Sequence, residues 1–417
     1  MLNRDTKAVV DWLMDGARPT VHTQDVLCEL CDRLLRCGIP ISRVGLFVLT
    51  LDPLVMGQRF MWKPGSGVDV NSAPFEAFLS DEFRNSPVRR VIETGVVLRR
   101  RLADKDCPTD FATVRELREE GATDYLAVPL FSADGPVHGA TFATREPGGF
   151  TDAQINELES VFAPLSRVVE NRALRRTATT LLDTYVGNQG GSRILAGQIR
   201  RGDAETIDAA IWLSDMRGFT SLADRLAPQT LFDLLNRYFD CQVPSIHSRG
   251  GEVLKFMGDG LLAIFPIAPG SENARDVCSA ALAAAREARA AVASSFGPFE
   301  EQGLHNVRFG LALHLGQVLY GNIGSGNRLD FTCIGPAVNL AARIEKLTGK
   351  LKRTILASDD FARQCGAVFV SVGDFDLAGF ATARAVFGLD DEVEPGHTAP
   401  HYGMAYSGEA SVETGQE

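Results

Sequence analysis

The chain lacks any apolar run close to the roughly 18–20 residues that a bilayer-spanning helix needs. Its opening residues, MLNRDTKAVVDWLMDG, carry no signal-peptide core. Both absences lead to the expectation of a cytoplasmic protein with no membrane span. Positive charge is also short: 42 Lys+Arg against 53 Asp+Glu give a net charge of −11. That balance argues against a nucleic-acid partner, which would need clustered basic side chains. Cysteine is sparse, with eight residues scattered singly apart from Cys28-x-x-Cys31. Positions three apart share one face of a helix, and Val26-Leu27-Cys28-Glu29-Leu30-Cys31 has helical apolar spacing, so the two thiols read as buried and not as a metal or redox pair. What is present is ordinary globular material. At 417 residues, 45% hydrophobic and 23% charged, the chain can build two or three domains with cores of their own.

Residues 1–19 read as an N-terminal segment. Residues 20–171 read as one mixed α/β domain. A helix over Asp25–Cys37 leads to strands at Val44–Leu49 and Gln58–Trp62. A helix near Ser86–Glu93, the short run Val96–Leu98 and a charged helix Val114–Glu120 follow, then strands at Asp124–Leu130 and Val137–Ala143. Thr151-Asp152 caps a closing helix that runs to about Arg172. This order resembles a GAF-type sensory domain, which implies either an unidentified small-molecule ligand or a dimerising scaffold without one. The run Arg99-Arg100-Arg101 reads as a solvated strand end, with contact to an anionic ligand as the alternative. Residues 172–206 form a helix–break–helix signalling linker, interrupted at Gly187 and Gly190-Gly191.

Residues 207–389 read as a second α/β domain, and 390–417 as a disordered polar tail. The run Ala210–Ser214 is a buried strand with Asp215 at its end, and Ser221-x-x-Asp224 has the pattern of a capping box. A helix of roughly five turns spans Pro228–Ser248. The stretch GGEVLKFMGDGLLAIF then reads as a β-hairpin with its turn at Gly258-Asp259-Gly260, residues that tolerate positive φ. An Ala-rich helix Asn273–Ser295, strands at Arg308–His314, Gln317–Tyr320 and Leu329–Ile334, the helix Ala337–Leu347 and a strand pair within 367–389 complete the domain.

Two carboxylates at strand ends in one sheet, Asp215 and Asp259, make a plausible site for two Mg²⁺ ions, with water and substrate phosphate filling the remaining positions. The segment Gly218-Phe219-Thr220 stands at a helix N-terminus, where unpaired N–H groups favour a polyphosphate. Asn339 and Arg343 lie one turn apart beside the buried stripe Leu340, Ile344 and Leu347. Such a pair can orient a ribose and neutralise charge at phosphorus.

Four segments in order, IWLSDMRGFTSL, GGEVLKFMGDGLLAIF, HLGQVLYGNIGS and DFTCIGPAVNLAARIE, closely resemble the catalytic domain of the class III adenylate/guanylate cyclases. Gly250-Gly251-Glu252-Val253 is only faintly similar to the signature of diguanylate cyclases. The resemblance implies a ferredoxin-like core that converts ATP to 3′,5′-cyclic AMP and pyrophosphate. It implies Asp215, Asp259 and the Met216 carbonyl as metal ligands (Mg²⁺, with Mn²⁺ as a substitute) and Asn339 and Arg343 as catalytic residues. It places Gly218, Phe219 and Thr220 at the phosphates, and Lys255 and Thr332 at the purine-selecting positions. Lysine has only donors, so it suits adenine N1 and opposes the N1–H of guanine, while the Thr332 hydroxyl can accept from the 6-amino group. A one-residue shift turns Cys333 to the other strand face. Each site is implied to form between two protomers of a homodimer, so that Lys255 and Asp259 of one hairpin serve different sites. The family's late-strand lysine is replaced by Ala378 in Leu377-Ala378-Gly379, with Arg384 as a candidate substitute. The alternatives are a guanylate cyclase, which Lys255 opposes, and a non-catalytic nucleotide-binding descendant, which the missing lysine favours.

Overall fold

The computed structural model describes residues 4–268, 273–296 and 307–392, divided into one unit ending at Thr184 and a second beginning at Tyr185. Among these residues no helix is long and apolar enough to cross a membrane. Both units are mixed α/β.

The first unit runs α1 (Arg4–Met14), α2 (Thr23–Arg36), β1 (Arg43–Leu49), β2 (Gly57–Lys63), β3 (Gly67–Ala73), α3 (Phe75–Leu79), α4 (Asp81–Arg84), α5 (Pro87–Thr94), β4 (Leu98–Arg100), α6 (Ala112–Glu119), β5 (Asp124–Leu130), β6 (His138–Thr144) and α7 (Asp152–Val186). Its six strands lie in the order β3-β2-β1-β6-β5-β4. One face is a closed core, in which Val44, Leu46, Phe60 and Phe142 pack with apolar side chains of α1, α2 and α7. The segment 1–19 is therefore no appendage: Val9 and Leu13 of α1 sit in this core, 2% and 1% exposed. Cys31 is buried and Cys28 half-buried, both as free thiols. Thr151 caps α7 reciprocally with Gln154, its Oγ1 accepting from the Gln154 N–H at 3.3 Å and its own N–H reaching Gln154 Oε1 at 3.0 Å. The arginine run is held internally. Arg99 binds Asp124 at 2.6 Å, Arg100 binds Asp110 at 2.7 Å and Arg101 donates to the Gly148 carbonyl at 3.3 Å.

The second unit continues α8 (Asn188–Leu195), β7 (Ala204–Met216), α9 (Phe219–Ala223), α10 (Pro228–Asp240), α11 (Val243–Ser248), β8 (Glu252–Met257), β9 (Gly260–Pro266), α12 (Ala274–Ser295), β10 (Phe309–Ser325), β11 (Arg328–Ile334), α13 (Pro336–Leu351), β12 (Ile355–Ser358), α14 (Asp359–Cys365), β13 (Phe369–Phe375) and β14 (Arg384–Leu389). Its sheet runs β13-β14-β12-β10-β7-β9-β8, with β11 folded back on β10. Trp212 and Phe265 face a core with α10, α12 and α14, while Ile211 and Leu262 face α13 on the other side.

Several expectations are corrected here. The helix expected to end near Arg172 runs unbroken to Val186. The single helix over Pro228–Ser248 is two, because Pro244 lacks the N–H that would continue α10 and sits instead in the first turn of α11. Ser221 lies inside α9, whose N-cap is Gly218 at φ +73°, so no capping box forms there. The two strands read at Arg308–His314 and Gln317–Tyr320 are one, β10, since Gly316 continues the ladder opposite Ala209. Of the expected tail, residues 390–392 are ordered by ion pairs from Arg289 to Asp391 and Glu392 at 2.8 and 2.7 Å. The remainder, 393–417, lies outside the described residues.

Candidate active site

Asp215 is the penultimate residue of β7, between β9 and β10 in the sheet. The turn joining β8 to β9 brings Asp259 beside it. Gly258 supplies the positive φ of that turn, +70°, and a Cβ on Gly260 would stand 3.3 Å from Asp215 Oδ1. Burial, and then the Asp215 charge, push the Asp259 carboxyl up to about 6, against the pull of its own N–H and that of Met216. Among the described residues neither carboxylate has a cationic side-chain partner, and no group of three or more His, Cys, Asp or Glu side chains is placed to hold a metal ion. Two mutually repelling carboxylates with few further protein ligands fit a hard divalent cation that keeps positions for water and phosphate oxygen.

After Asp215 the chain turns through Arg217 and Gly218 into α9. This helix has five residues, so the phosphate-binding expectation rests on one turn of first-turn N–H groups from Phe219 and Thr220. Arg217 folds away from that turn. Its guanidinium binds Glu345 of α13 at 2.8 Å and the Glu345 carbonyl at 3.2 Å. It passes over Gly310, which faces Asp215 across the ladder and where a Cβ would collide with the guanidinium.

Pro336 occupies the first turn of α13, and Leu340, Ile344 and Leu347 enter the core as expected. Asn339 is exposed and Arg343 half-buried. One cleft of about 490 Å³ is lined by Asp215, Lys255, Cys333, Asn339 and Glu345. A single chain thus brings together Asp215, Lys255 and Asn339, the residues expected at the metal, the purine and the ribose, although the homodimer expectation puts Lys255 and the metal carboxylates of one chain in different sites. Asp259, Thr332 and Arg343 are not on this cleft's wall.

Lys255 reaches the cleft through a bulge. Between Val253 and Lys255 the register with β9 shifts, so that Val253 opposes Ala263 and Lys255 opposes Leu262. Lys255 thereby joins the α13 face, and Phe256 points the other way onto Phe239. Its ammonium pairs with Asp330 at 3.3 Å. The bulge also settles which β11 neighbour it meets. Cys333, expected to face away, lines the cleft beside Lys255; burial pushes its thiol up to about 11 although the Lys255 charge pulls it down. Thr332 is 3% exposed and its Oγ1 has no hydrogen-bond partner.

The late step places Ala378 in an exposed loop. Arg384 opens β14, with its guanidinium 5.4 Å from the Phe380 ring centroid, and does not line the cleft.

Sequence reasoning missed Arg217, Glu345, Asp330 and Glu252. Glu345 had a legible signal, a carboxylate one position after Ile344 and four after Ala341, on the face that Ala337 and Ala341 bury. Glu252 opens β8 and accepts from Tyr320 Oη at 2.8 Å and from the N–H groups of Gln189 and Gly190 at 3.1 and 3.3 Å. It therefore satisfies the first turn of α8 and ties that helix to the hairpin.

Residues 203–383 match the family of adenylate and guanylate cyclase catalytic domains. The terminal-differentiation-specific adenylate cyclase of Dictyostelium discoideum is 35% identical over 155 residues, 37% of this chain and 7% of that protein. An adenylate cyclase of Anabaena cylindrica is 31% identical over 229 residues, 53% of this chain and 40% of that protein. The chain therefore spans less than half the length of either relative. Among solved structures, the adenylyl cyclase CyaB from P. aeruginosa is 26% identical and covered over 95% of its length by 45% of this chain, with a TM-score of 0.41. The segment 203–383 of this chain is a class III adenylate/guanylate cyclase catalytic domain.

Proposed function

We propose that this protein is an adenylate cyclase that closes ATP to 3′,5′-cyclic AMP and releases pyrophosphate, at sites shared between two copies of the chain. The observation that carries this reading is the carboxylate pair, Asp215 beside Asp259, with neither held by a cationic side chain among the described residues and with Lys255 and Asn339 of the same chain on the adjoining cleft. In the reaction the ribose 3′-oxygen forms a bond to the α-phosphorus and gives up its proton. The bond from that phosphorus to the bridging oxygen breaks, and pyrophosphate leaves with the electron pair.

Asp215 and Asp259, with the Met216 carbonyl, would hold two Mg²⁺ ions, or Mn²⁺ in their place. When bound, these supply charge that acidifies the 3′-hydroxyl and neutralises the phosphates. The N–H groups of the Gly218-Phe219-Thr220 turn hold the triphosphate. Asn339 orients the ribose, and Arg343 meets the charge that grows on the α-phosphoryl oxygens. Lys255 donates to adenine N1. The Thr332 hydroxyl, which has no hydrogen-bond partner but is 3% exposed and off the Lys255 cleft, must be uncovered before it can accept from the 6-amino group. Guanine would set its N1–H against the Lys255 ammonium, and a donor left facing a donor costs roughly 1–3 kcal/mol.

The test is chromatography of the products formed by the purified full chain with Mg²⁺ or Mn²⁺ and either ATP or GTP. Cyclic AMP from ATP, well above any cyclic GMP from GTP, is the expected result. Dominant cyclic GMP would make it a guanylate cyclase. No cyclic product under any of the four conditions would leave a nucleotide-binding protein without turnover.

A further inference from the structure

The two faces of the first unit's sheet differ. One is packed against α1, α2 and α7. The other is covered in part by α5 and α6, which pack on Tyr125, Ala127 and Ala143, and is otherwise roofed by α3 and α4, helices of five and four residues with no buried side chain between them. Beneath that roof lies a cavity of about 280 Å³, within reach of the lower end of small-molecule sites. Its apolar wall includes Phe47, Met61, Phe78 and Phe83, and the last two rings lie 4.3 Å apart, half-buried, at the roof.

Two polar groups there, on Tyr125 and Arg43, are weakly served by the protein. Tyr125 lines the cavity from β5 and is 2% exposed, yet its hydroxyl makes no well-formed hydrogen bond: Thr141 is only a weak side-chain partner, and Arg43 is a charged neighbour. A buried hydroxyl left poorly paired is unfavourable, so a native fold that keeps one needs a reason. Arg43 has only weak acceptors: Met61 Sδ at 3.2 Å from Nε, and the Glu120 carboxylate no nearer than 3.7 Å. A guanidinium fork prefers two parallel bonds to a planar carboxylate.

We propose that this cavity is a binding site for a compact aromatic carboxylate, with the ring between Phe47, Met61 and the Phe78–Phe83 pair and the carboxylate on Arg43 and the Tyr125 hydroxyl. The ring completes a wall that is already aromatic on two sides. The carboxylate supplies Arg43 with a closer acceptor than Glu120 at 3.7 Å, and gives the Tyr125 hydroxyl a strong one. This site is independent of the cyclase chemistry and stands or falls without it.

The experiment is calorimetric titration of the full chain with benzoate, 4-hydroxybenzoate and naphthalene-2-carboxylate, each against its matched uncharged alcohol, with thermal melting of every variant. The wild type is expected to bind at least one acid saturably and about tenfold more tightly than its alcohol. R43Q should erase that preference. Y125F should weaken acid binding about fivefold while melting at or above the wild-type temperature, since it removes a poorly paired buried hydroxyl. A77W, on the short roof helix α3, should block binding with the fold kept. No saturable binding of any acid would overturn the proposal. So would acid binding that R43Q and Y125F leave unchanged, or a Y125F protein that melts far lower, which would make the hydroxyl a structural group.

Discussion

Arg217, two residues beyond the candidate metal ligand Asp215, closes a 2.8 Å ion pair with Glu345, two residues beyond Arg343 on α13. One interaction thus fixes the strand end that carries a carboxylate to the helix that carries Asn339 and Arg343. The Glu345 side chain is 6% exposed, so removing its partner leaves a buried charge. R217M should lower the stability of the cyclase unit by about 3 kcal/mol. E345Q, which removes the charge itself, should cost less. Urea unfolding of the single and double variants checks this, and a double-mutant cycle with no coupling would refute it. Because the pair acts through position, turnover should fall with little change in KM for ATP.

Removing one member of the carboxylate pair should have opposite effects on stability and activity. D259N relieves the repulsion that Asp215 exerts on it, so the metal-free protein should melt at an equal or higher temperature than wild type. Cyclase activity and any Mg²⁺-induced rise in melting temperature should both vanish. Melting in EDTA and in Mg²⁺ reads the two effects side by side.

Base choice should respond to Lys255 and to its partner Asp330. K255M keeps the stem and deletes the donors, so the preference for ATP over GTP in kcat/KM should drop about tenfold. D330N frees the ammonium from its 3.3 Å pair and should alter KM for ATP with the preference kept. An unchanged ratio in K255M would remove the lysine from base selection.

His314, 4% exposed on β10, bonds Ser358 Oγ through Nδ1 at 2.7 Å. Burial pushes its imidazole down to about 4, and the neighbouring Arg384 charge adds to this while Asp360 opposes it. The folded state therefore excludes a proton that the unfolded chain takes up near pH 6.5. This stability is fully present above pH 6.5 and is lost as pH falls toward 4, by up to about 3 kcal/mol. Replacing the imidazole in H314Q should flatten that part of the stability–pH curve, as read by denaturant midpoints from pH 4 to 8.

The parts of this fold that were legible in the sequence are those written in local pattern. The β5 strand was read over its exact span, Asp124–Leu130, because it is apolar and bounded by turn residues. The stripe of α13 and the hairpin turn at Asp259 were read from spacing and from Gly258 in the same way. What was not legible depends on contacts distant in sequence. The β8 bulge is invisible in Val253-Leu254-Lys255, yet it decides that Cys333, and not Thr332, lines the cleft beside Lys255. Gly187 looked like a simple helix stop. It is a close approach as well, since at φ +94° a Cβ there would lie 2.6 Å from Glu252 Oε1. Arg217 carried no signal of its own in the sequence, because its partner Glu345 lies on α13, 128 positions away.

The claim that carries the account is that ATP is cyclised at sites built from two chains, with Asp215 from one and Arg343 from the other. Cyclic AMP formation by an equimolar, co-refolded mixture of D215A and R343A chains, each inactive alone, tests it most directly. Random pairing makes half the dimers mixed, each with one intact site of two, so the mixture should recover about a quarter of wild-type activity. A mixture that stays at the background of the separate variants would contradict shared sites.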